Sequence, residues 1–420
     1  MNNFLSLNPD GQSFGAYAKF GRQIYRRCTL NAKRLRGLKV IHVNSTGNGG
    51  GVAELLKNQI PLERDLGLKS RWLAIREPSR FFFVTKKIHN LLQGQRGFLS
   101  EPEKNYFLNR LRGPGQELGK YLSSQKGKAV VVLHDPQVLP LIEFLPASIS
   151  VIVRLHIDLT TANKSALKFL RPFLDKAQRV IVSHPAYRPR WLNKSTTVVS
   201  YPAINPFSEK NRDLSQAVIT KYFRRFGIDL ARPVMAQVSR FDPWKDPTGV
   251  IEAYYLAKKQ LPKLQLVLEG VMEAKDDPQA LGVYRELSME YQNDPDLFLR
   301  GSKTLTDRDY QRWVNALQRG ADVVVQKSLR EGFGLTVTEA QWKGRAVIGG
   351  AATGIRQQIK NGQNGFIVDS AAQCAKRVVQ LVKKPRLEQK LGRLGRRAVK
   401  QKFLFNRLLL DYLEIYRALV

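Results

Sequence analysis

The stretch ADVVVQKSLREGFGLTVTEAQWK, from Ala321 to Lys343, joins an apolar run, a loop with two glycines and a segment with helical spacing. The run ADVVVQ has the near-continuous hydrophobicity of a parallel strand that is buried on both faces. The segment from Thr336 onward has the apolar spacing of a helix. The stretch therefore predicts one strand–loop–helix unit of an α/β protein.

The same alternation continues in both directions and forms two series of strands. The first series is predicted at Lys39–Ser45, Arg71–Ile75, Ala129–Asp135, Ser150–Ile157, Arg179–Ser183 and Thr196–Tyr201. The second is predicted at Pro233–Ser239, Leu264–Glu269, Ala321–Gln326, Ala346–Gly349 and Gly365–Asp369. A polar link near Tyr201–Ser215 separates the series, so we predict two doubly wound, Rossmann-like domains with ligands at the carboxyl ends of the strands.

Two glutamates, Glu331 and Glu339, flank the glycine loop of the opening stretch with seven residues between them. Gly332 and Gly334 open a loop whose amides can bond a sugar or a phosphate, and the positive end of the helix dipole points to the same place. Glu331 would then lie near a sugar, and Glu339, inside the helix, can accept hydrogen bonds from a ribose diol. Either glutamate alone would be an ordinary surface carboxylate, but the pair in this setting predicts a binding site for a sugar or a phosphate.

A second turn follows the strand PVMAQVS and carries Arg240 and Lys245, with Asp242, Pro243 and Trp244 between them. Two cations at the carboxyl end of a strand can hold a diphosphate leaving group. Fixed positive charge can there replace a metal ion. We therefore expect no metal site, and the alternative is that each cation simply faces solvent.

The first series opens with a glycine-rich loop, NSTGNGGG, between a strand and a helix. The consecutive glycines Gly49, Gly50 and Gly51 let the backbone approach a ligand, and the helix N-terminus offers amides to an anion or a hydroxyl. No Gly-Lys-Ser/Thr follows, so the loop is not a Walker loop. A tight turn that packs the helix on the sheet is an equal alternative.

The charge of the chain is unusual for a packed globular protein. The net charge of +34 on 420 residues favours anionic partners, although basic runs such as Lys376–Lys400 also fit solvated helix faces. Phe14, Tyr17, Phe20 and Ile24 lie among basic residues and predict an amphipathic helix that docks on the core. The alternative is that this helix rests on anionic lipid.

Several further features indicate a soluble, cytoplasmic protein. The two cysteines, Cys28 and Cys374, match no disulfide or zinc spacing. The N-terminus lacks the pattern of a secretory signal. No apolar stretch approaches the ~18 residues that span a bilayer.

Five segments of the chain resemble one family of glycosyltransferases. They are NSTGNGGGVAELL, RLHIDLT, YPAINPFSEKN, QVSRFDPWKDP and REGFGLTVTEAQWKG. The last segment contains the E-x7-E motif of retaining glycosyltransferases of family four. Together the segments resemble trehalose glycosyltransferring synthases, which join a nucleotide-activated glucose to free glucose. The resemblance implies the GT-B architecture, with two Rossmann-like domains facing a cleft: an acceptor-side domain of residues 1–205, completed by a helix at 403–420, and a nucleotide-sugar domain of residues 206–402.

On the donor side, the resemblance implies that Arg240 and Lys245 bind the diphosphate and that Glu339 binds the ribose. Glu331 and the amides around the loop would hold the donor sugar; the loop residues are Gly332, Phe333, Gly334 and Leu335. With His156, the residues Arg240, Lys245 and Glu331 form the catalytic set that the resemblance implies.

On the acceptor side, the resemblance implies that His156, in RLHID, contacts the donor sugar and shapes the reaction centre. Gly50 and Gly51 would face the diphosphate, and Gly49 the acceptor. Asp135 and Asp158 are candidate acceptor contacts, and for Asp135 a structural turn is an equal alternative.

Three functions are consistent with these observations. The first is transfer of glucose from UDP-, ADP- or GDP-glucose to glucose, forming trehalose with retention of configuration by front-face attack and without a cofactor. The second is transfer to another sugar, a polyol or a lipid. The third is non-catalytic binding of an anionic polymer, which the intact donor residues disfavour. We expect a nucleotide sugar and a small sugar as partners and no nucleic acid, and leave open a homodimer and a weak association with an anionic membrane surface.

Overall fold

The computed structural model describes residues 1–48, 50–270, 280–301 and 305–420. These residues form two compact units. Unit 1 comprises Met1–Ala203 and Phe405–Val420, and unit 2 comprises the described residues from Ile204 to Leu404. Each unit holds one sheet with a doubly wound strand order, which confirms the predicted α/β class with two Rossmann-like domains.

The strands of the described residues form one sheet in each unit. The strands of unit 1 are β1 (Phe4–Leu7), β2 (Lys39–Asn44), β3 (Lys69–Ile75), β4 (Ala129–His134), β5 (Ser150–Leu155), β6 (Arg179–Val182) and β7 (Thr197–Val199). Those of unit 2 are β8 (Val234–Val238), β9 (Gln265–Gly270), β10 (Leu297–Gly301), β11 (Val323–Gln326), β12 (Val347–Gly350) and β13 (Gly365–Val368). All the predicted strands are present, and β1 and β10 are additional.

Helices connect these strands. In unit 1 they are α1 (Arg22–Arg34), α2 (Gly50–Asp65), α3 (Ser79–Leu92), α4 (Glu101–Ser123) and α5 (Lys164–Leu174). In unit 2 they are α6 (Gln216–Arg225), α7 (Pro247–Lys258), α8 (Ala280–Glu290), α9 (Asp307–Gly320), α10 (Leu335–Trp342), α11 (Thr353–Arg356), α12 (Ala371–Lys383) and α13 (Pro385–Lys402). The last helix, α14 (Phe405–Leu419), belongs to unit 1. No helix in the described part of the chain is both long and apolar enough to cross a membrane.

The sheet of unit 1 has the strand order β1-β3-β2-β4-β5-β6-β7, and only β1 is antiparallel to its neighbour. The chain leaves β2 toward β3 on one side and then continues from β4 on the other side. The strand order therefore reverses between β2 and β4, and ligands of doubly wound sheets bind at such a reversal.

The sheet of unit 2 is parallel throughout, with the order β10-β9-β8-β11-β12-β13. This is the strand order of a dinucleotide-binding Rossmann domain, and it reverses between β8 and β11. The loops that follow these two strands contain Arg240, Lys245 and Glu331. The reversal point thus gathers the residues predicted to bind the donor.

The basic N-terminal segment packs against its own unit. It forms a short 3-10 helix at Phe14–Phe20, followed by α1. Phe14 and Tyr17 are buried. Helix α1 contacts α14, and the Cys28 thiol donates to the carbonyl oxygen of Asn406 at 3.3 Å. The predicted docking on the core is therefore observed, as two helices rather than one, because Gly21 interrupts the segment.

Candidate active site

The glycine loop of unit 2 is held by backbone and amide hydrogen bonds. Gly334 caps the N-terminus of α10 with φ = 86°, a left-handed conformation that glycine adopts without strain. The side-chain amide of Gln358 donates to the carbonyl oxygens of Gly334 and Gly354, and the amide of Gly354 donates to the carbonyl of Glu331. The loop is thus fixed before any ligand binds.

Lys245 and Glu331 form an ion pair at the reversal point of the unit 2 sheet. The Lys245 ammonium lies 2.6 Å from the Glu331 carboxylate, and the two side chains are only 16% and 13% exposed. Two hydrogen bonds fix the turn Pro243–Lys245 that carries the lysine: the Asp242 carboxylate accepts from the Trp244 amide, and the Leu329 amide donates to the Trp244 carbonyl. The structure therefore brings together two residues that lie far apart in sequence.

Arg240 lies in the same loop as Lys245 and is more accessible. Its side chain is 25% exposed, and its guanidinium is 3.8 Å from the carboxylate of the buried Asp242. A partly exposed guanidinium beside the reversal point can reach an anionic ligand. Binding of a diphosphate by Arg240 and Lys245 stays a prediction.

Glu339 occupies a different environment from Glu331. It lies within α10 with 0% of its side chain exposed, and the Lys210 ammonium is 3.1 Å from one carboxylate oxygen. Sequence reasoning missed Lys210, although YPAINPFSEKN was among the segments that carried the resemblance. The ribose contact predicted for Glu339 therefore involves a carboxylate that already faces a cation.

The reversal point of unit 1 holds a chain of four side chains. Glu63 lies 3.1 Å from the Nε2 of His42, the Nδ1 of His42 lies 3.0 Å from the Nε2 of His134, and the Nδ1 of His134 lies 3.0 Å from the Nε2 of His156. The first three are buried, and His156 is partly exposed. The sequence identified His156 but gave no signal that it is linked to Glu63.

Burial and the neighbouring groups shift the pKa values along this chain. Burial, followed by the nearby charges of other histidines and Arg154, lowers the pKa of His134 well below its ordinary value. Burial and then Arg154 do the same for the pKa of His156. For Glu63, burial acts to raise the pKa, but the interaction with His42 and the hydrogen bonds from Ser70 and Gln59 outweigh it and lower the pKa. Both histidines are therefore neutral near pH 7, and Glu63 is ionised.

The two candidate acceptor aspartates take part in local turns. Asp135 has φ = 64°, and its carboxylate accepts from the backbone amide of His156 at 2.7 Å. One oxygen of the buried Asp158 accepts from the amide and the hydroxyl of Thr160, while the other has no hydrogen-bond partner among the described residues. Asp135 thus has the structural role that was one of its two predicted roles, and acceptor binding by either aspartate stays a prediction.

The glycine-rich loop of unit 1 leads from β2 into α2. Gly49 lies outside the described residues, whereas Gly50 and Gly51 begin α2 at the carboxyl edge of the sheet. A Cβ atom on Gly47 would lie 2.7 Å from a terminal methyl group of Leu7, so a larger residue there would displace that side chain. Contact of Gly50 and Gly51 with the diphosphate stays a prediction. Within the described ranges, no group of three or more metal-binding side chains was found.

Two known protein families match this chain, one in each unit. Residues 42–189 match the family described as "Trehalose synthase, N-terminal domain", and residues 218–398 match "Glycosyl transferases group 1". A trehalose synthase from Pyrococcus horikoshii is 41% identical, covering 95% of this chain and 94% of the relative. One from Rubrobacter xylanophilus is 37% identical, covering 99% of each chain.

Two more distant proteins are also similar. A trehalose phosphorylase from Pleurotus pulmonarius is 26% identical, covering 80% of this chain and 50% of the relative. Among solved structures, a sucrose-phosphate synthase from Thermosynechococcus elongatus superposes with a TM-score of 0.69 at 17% identity, covering 91% of this chain and 99% of the other. The latter similarity concerns the fold alone.

The strand orders and the matching families define a glycosyltransferase of the GT-B class, which transfers hexosyl groups. Within that class, the chain belongs to the trehalose synthase family. The family of glycosyltransferases that was predicted from the E-x7-E motif is therefore confirmed.

Proposed function

We propose that this protein transfers glucose from a nucleotide-glucose donor to free glucose, forming trehalose with retention of the donor's anomeric configuration and without a metal ion. The trehalose synthase relatives support the product. The donor, the stereochemistry and the metal independence rest on the chemistry of the residues in unit 2.

The observation that carries the proposal is the group of charges at the reversal point between β8 and β11. Lys245 is held 2.6 Å from Glu331, and Arg240 lies in the same loop with its guanidinium partly exposed. A nucleoside diphosphate gains negative charge as it leaves the sugar. Fixed cations that need no reorganisation stabilise that charge, and they do so in place of a metal ion.

The reaction balances without a protein nucleophile. The bond between the anomeric carbon and the phosphate oxygen breaks, and a bond from that carbon to the acceptor oxygen forms on the same face. The acceptor's hydroxyl proton passes to the departing phosphate oxygen. In this scheme Arg240 and Lys245 stabilise the leaving group, and Glu331 orients Lys245 and binds a hydroxyl of the donor sugar.

The phosphorylase relative motivates a second candidate, in which inorganic phosphate and trehalose are the substrates. The same two cations would then bind free phosphate. The chain spans only half of that relative, which makes the transferase reaction the better supported of the two.

The test incubates the purified protein with glucose and UDP-, ADP- or GDP-glucose in the presence of a chelator. NMR of the product should show a non-reducing disaccharide with the donor's configuration at the transferred carbon. Arg240→Met should lower kcat on the order of 10²- to 10³-fold, the usual loss when one group that stabilises transition-state charge is removed. Arg397→Met, at an exposed arginine of α13 in the same unit, is the matched control and should retain full activity.

The other outcomes are distinct. Donor consumption without a disaccharide would replace glucose as the acceptor. Release of glucose phosphate from trehalose and phosphate, with no use of nucleotide sugars, would favour the phosphorylase. A loss of activity on adding the chelator would contradict metal independence, and equal losses in Arg240→Met and Arg397→Met would contradict the assigned diphosphate site.

A further inference from the structure

A hydrogen-bonded chain runs through unit 1 from a buried carboxylate to a partly exposed histidine. The links are Glu63 to His42, His42 to His134, and His134 to His156, at 3.1, 3.0 and 3.0 Å. Both ring nitrogens of His42 and of His134 are used by these links. Among the ring nitrogens of these three histidines, the Nδ1 of His156 alone has no hydrogen-bond partner within the described residues, and His156 is the partly exposed end.

The ring geometry suits hydrogen bonding through the ring edges. Successive rings are inclined by only 29° and 17°, with centroids 5.3 and 5.4 Å apart. Rings that stacked face to face would have centroids closer together than this. With the facing nitrogens 3.0 Å apart, these centroid distances mean that each ring meets the next through its edge. Because the lone pair of an imidazole nitrogen lies in the ring plane, nearly coplanar rings joined nitrogen to nitrogen are well aligned for N–H···N bonds.

Glu63 determines the direction of these bonds. Its carboxylate accepts from the hydroxyl of Ser70 at 2.6 Å, the amide of Gln59 at 2.8 Å and the hydroxyl of Tyr416 at 3.0 Å. A carboxylate so surrounded by donors is ionised, and an ionised carboxylate only accepts hydrogen bonds. The Nε2 of His42 must therefore carry its proton toward Glu63.

The direction then passes along the chain. A neutral imidazole has one N–H and one bare nitrogen. In its neutral form, His42 with a proton on Nε2 has a bare Nδ1, which accepts from the Nε2–H of His134. The bare Nδ1 of His134 accepts in turn from the Nε2–H of His156. Every ring in the chain is thus the Nε2–H tautomer.

We propose that Glu63, acting through His42 and His134, fixes the tautomer of His156 so that its Nδ1 accepts a hydrogen bond from a substrate hydroxyl group. Glu63, His42 and His134 are positioning residues in this arrangement, and His156 is the residue that touches the substrate. That the hydroxyl belongs to a sugar rests on the proposed function; the tautomer itself does not.

The decisive variant is Glu63→Gln, which preserves shape and reverses polarity. Gln59 and Tyr416 donate to one carboxylate oxygen, and His42 and Ser70 face the other. The new amide should keep its oxygen toward the first pair and turn its NH₂ toward His42. Each imidazole then becomes the Nδ1–H tautomer, and His156 presents a donor instead of an acceptor.

The readout is the ¹⁵N NMR spectrum of histidine-labelled protein, in which bare and protonated ring nitrogens have well-separated shifts. The chain has five histidines, and single His→Gln variants assign them. His184 is an internal reference, because its Nδ1 accepts from the Ala186 amide at 3.1 Å and its tautomer is independent of Glu63. Ser70→Ala is the matched control, since it removes one donor to Glu63 and leaves the direction of the relay unchanged.

In the native protein, we expect the Nε2–H tautomer at His156 and a shift of its Nδ1 resonance when glucose or nucleotide-glucose is added. In Glu63→Gln, we expect the tautomers of His42, His134 and His156 to reverse and kcat/KM to fall about tenfold, because a substrate hydroxyl must exchange its donor role for an acceptor role. Ser70→Ala should change neither.

An Nδ1–H tautomer of His156 in the native protein would overturn the proposal, even if Glu63→Gln failed to fold. So would an unchanged His156 tautomer in a folded Glu63→Gln protein, or an Nδ1 resonance that no sugar ligand moves. An absence of glucosyl transfer by the native protein would contradict the proposed function but not the tautomer assignment, because the spectrum is recorded without turnover.

Discussion

Glu269 should make unit 2 less stable as the pH rises. It lies at the carboxyl end of β9 with 2% of its side chain exposed. Its carboxyl group accepts from the Trp313 indole at 2.5 Å and is 3.5 Å from the Arg300 guanidinium. Burial raises the pKa of Glu269 to about 7, because the indole and the guanidinium only partly compensate for the loss of water.

The magnitude follows from the difference between the folded and the unfolded chain. The pKa is about 7 when folded and 4.5 when unfolded, and each pKa unit corresponds to about 1.36 kcal/mol. Between pH 4.5 and pH 7 the folded state binds more protons than the unfolded state. The contribution of the protonated Glu269 to the free energy of unfolding is therefore present in acid and is lost as the pH rises through 7. From pH 5 to pH 8 the loss is about 2.5 kcal/mol.

The assay compares Glu269→Gln with the native protein by urea unfolding at pH 5 and pH 8, because other groups also change the pH dependence. The new amide oxygen can still accept from Trp313 and carries no charge. The free energy of unfolding of the variant, relative to that of the native protein, should therefore rise by about 2 to 3 kcal/mol from pH 5 to pH 8. For Glu286→Gln, at an exposed glutamate of α8, this relative free energy of unfolding should hardly change between the two pH values. Equal gains in both variants, or none in Glu269→Gln, would refute the assigned burial effect.

Two further predictions concern the glycine loop and the histidines. A Cβ on Gly354 would lie 2.5 Å from the Glu331 carbonyl oxygen, so Gly354→Ala should displace the loop, cost about 1–3 kcal/mol and weaken donor binding. Gly282→Ala meets nothing within 4 Å in α8 and should be neutral or stabilising, and equal thermal midpoints for the two variants would contradict this reasoning. The lowered pKa of His134 should reduce stability as the pH falls below about 6.5. When the pH is lowered from 7.5 to 5.5, the thermal midpoint should therefore fall more for the native protein than for His134→Gln. Equal falls in the two proteins would contradict the lowered pKa assigned to His134.

The sequence predicted most of the sheets because their central strands are continuous apolar runs. The run ADVVVQ contains β11, and AVVVLHD contains β4, each buried along its length. The two missed strands lack this signal. In FLSL, which forms β1, only Phe4 is buried, and β10 is buried at Leu297 alone, so neither has the continuous hydrophobicity of an inner strand.

The candidate site could be predicted only where its residues are close in sequence. The loops with Arg240, Lys245 and Glu331 were identified from local patterns, and the topology then brought them to one edge of the unit 2 sheet. The link from Glu63 to His156 spans α2, β2, β4 and the end of β5. It depends on strand register, such as the pairing of His42 with Val132, which no local pattern encodes.

The E-x7-E spacing shows how one motif can place two identical residues in opposite environments. Glu331 lies in the loop, partly accessible and paired with Lys245. Glu339 lies eight positions further along, inside α10, where it is inaccessible and faces Lys210. A pair acting as general acid and general base would need two carboxylates that both reach the reacting atoms. Because each glutamate here is paired with its own lysine and only Glu331 is accessible, the geometry disfavours an acid–base pair and is consistent with the proposed scheme, in which the cations stabilise the leaving group.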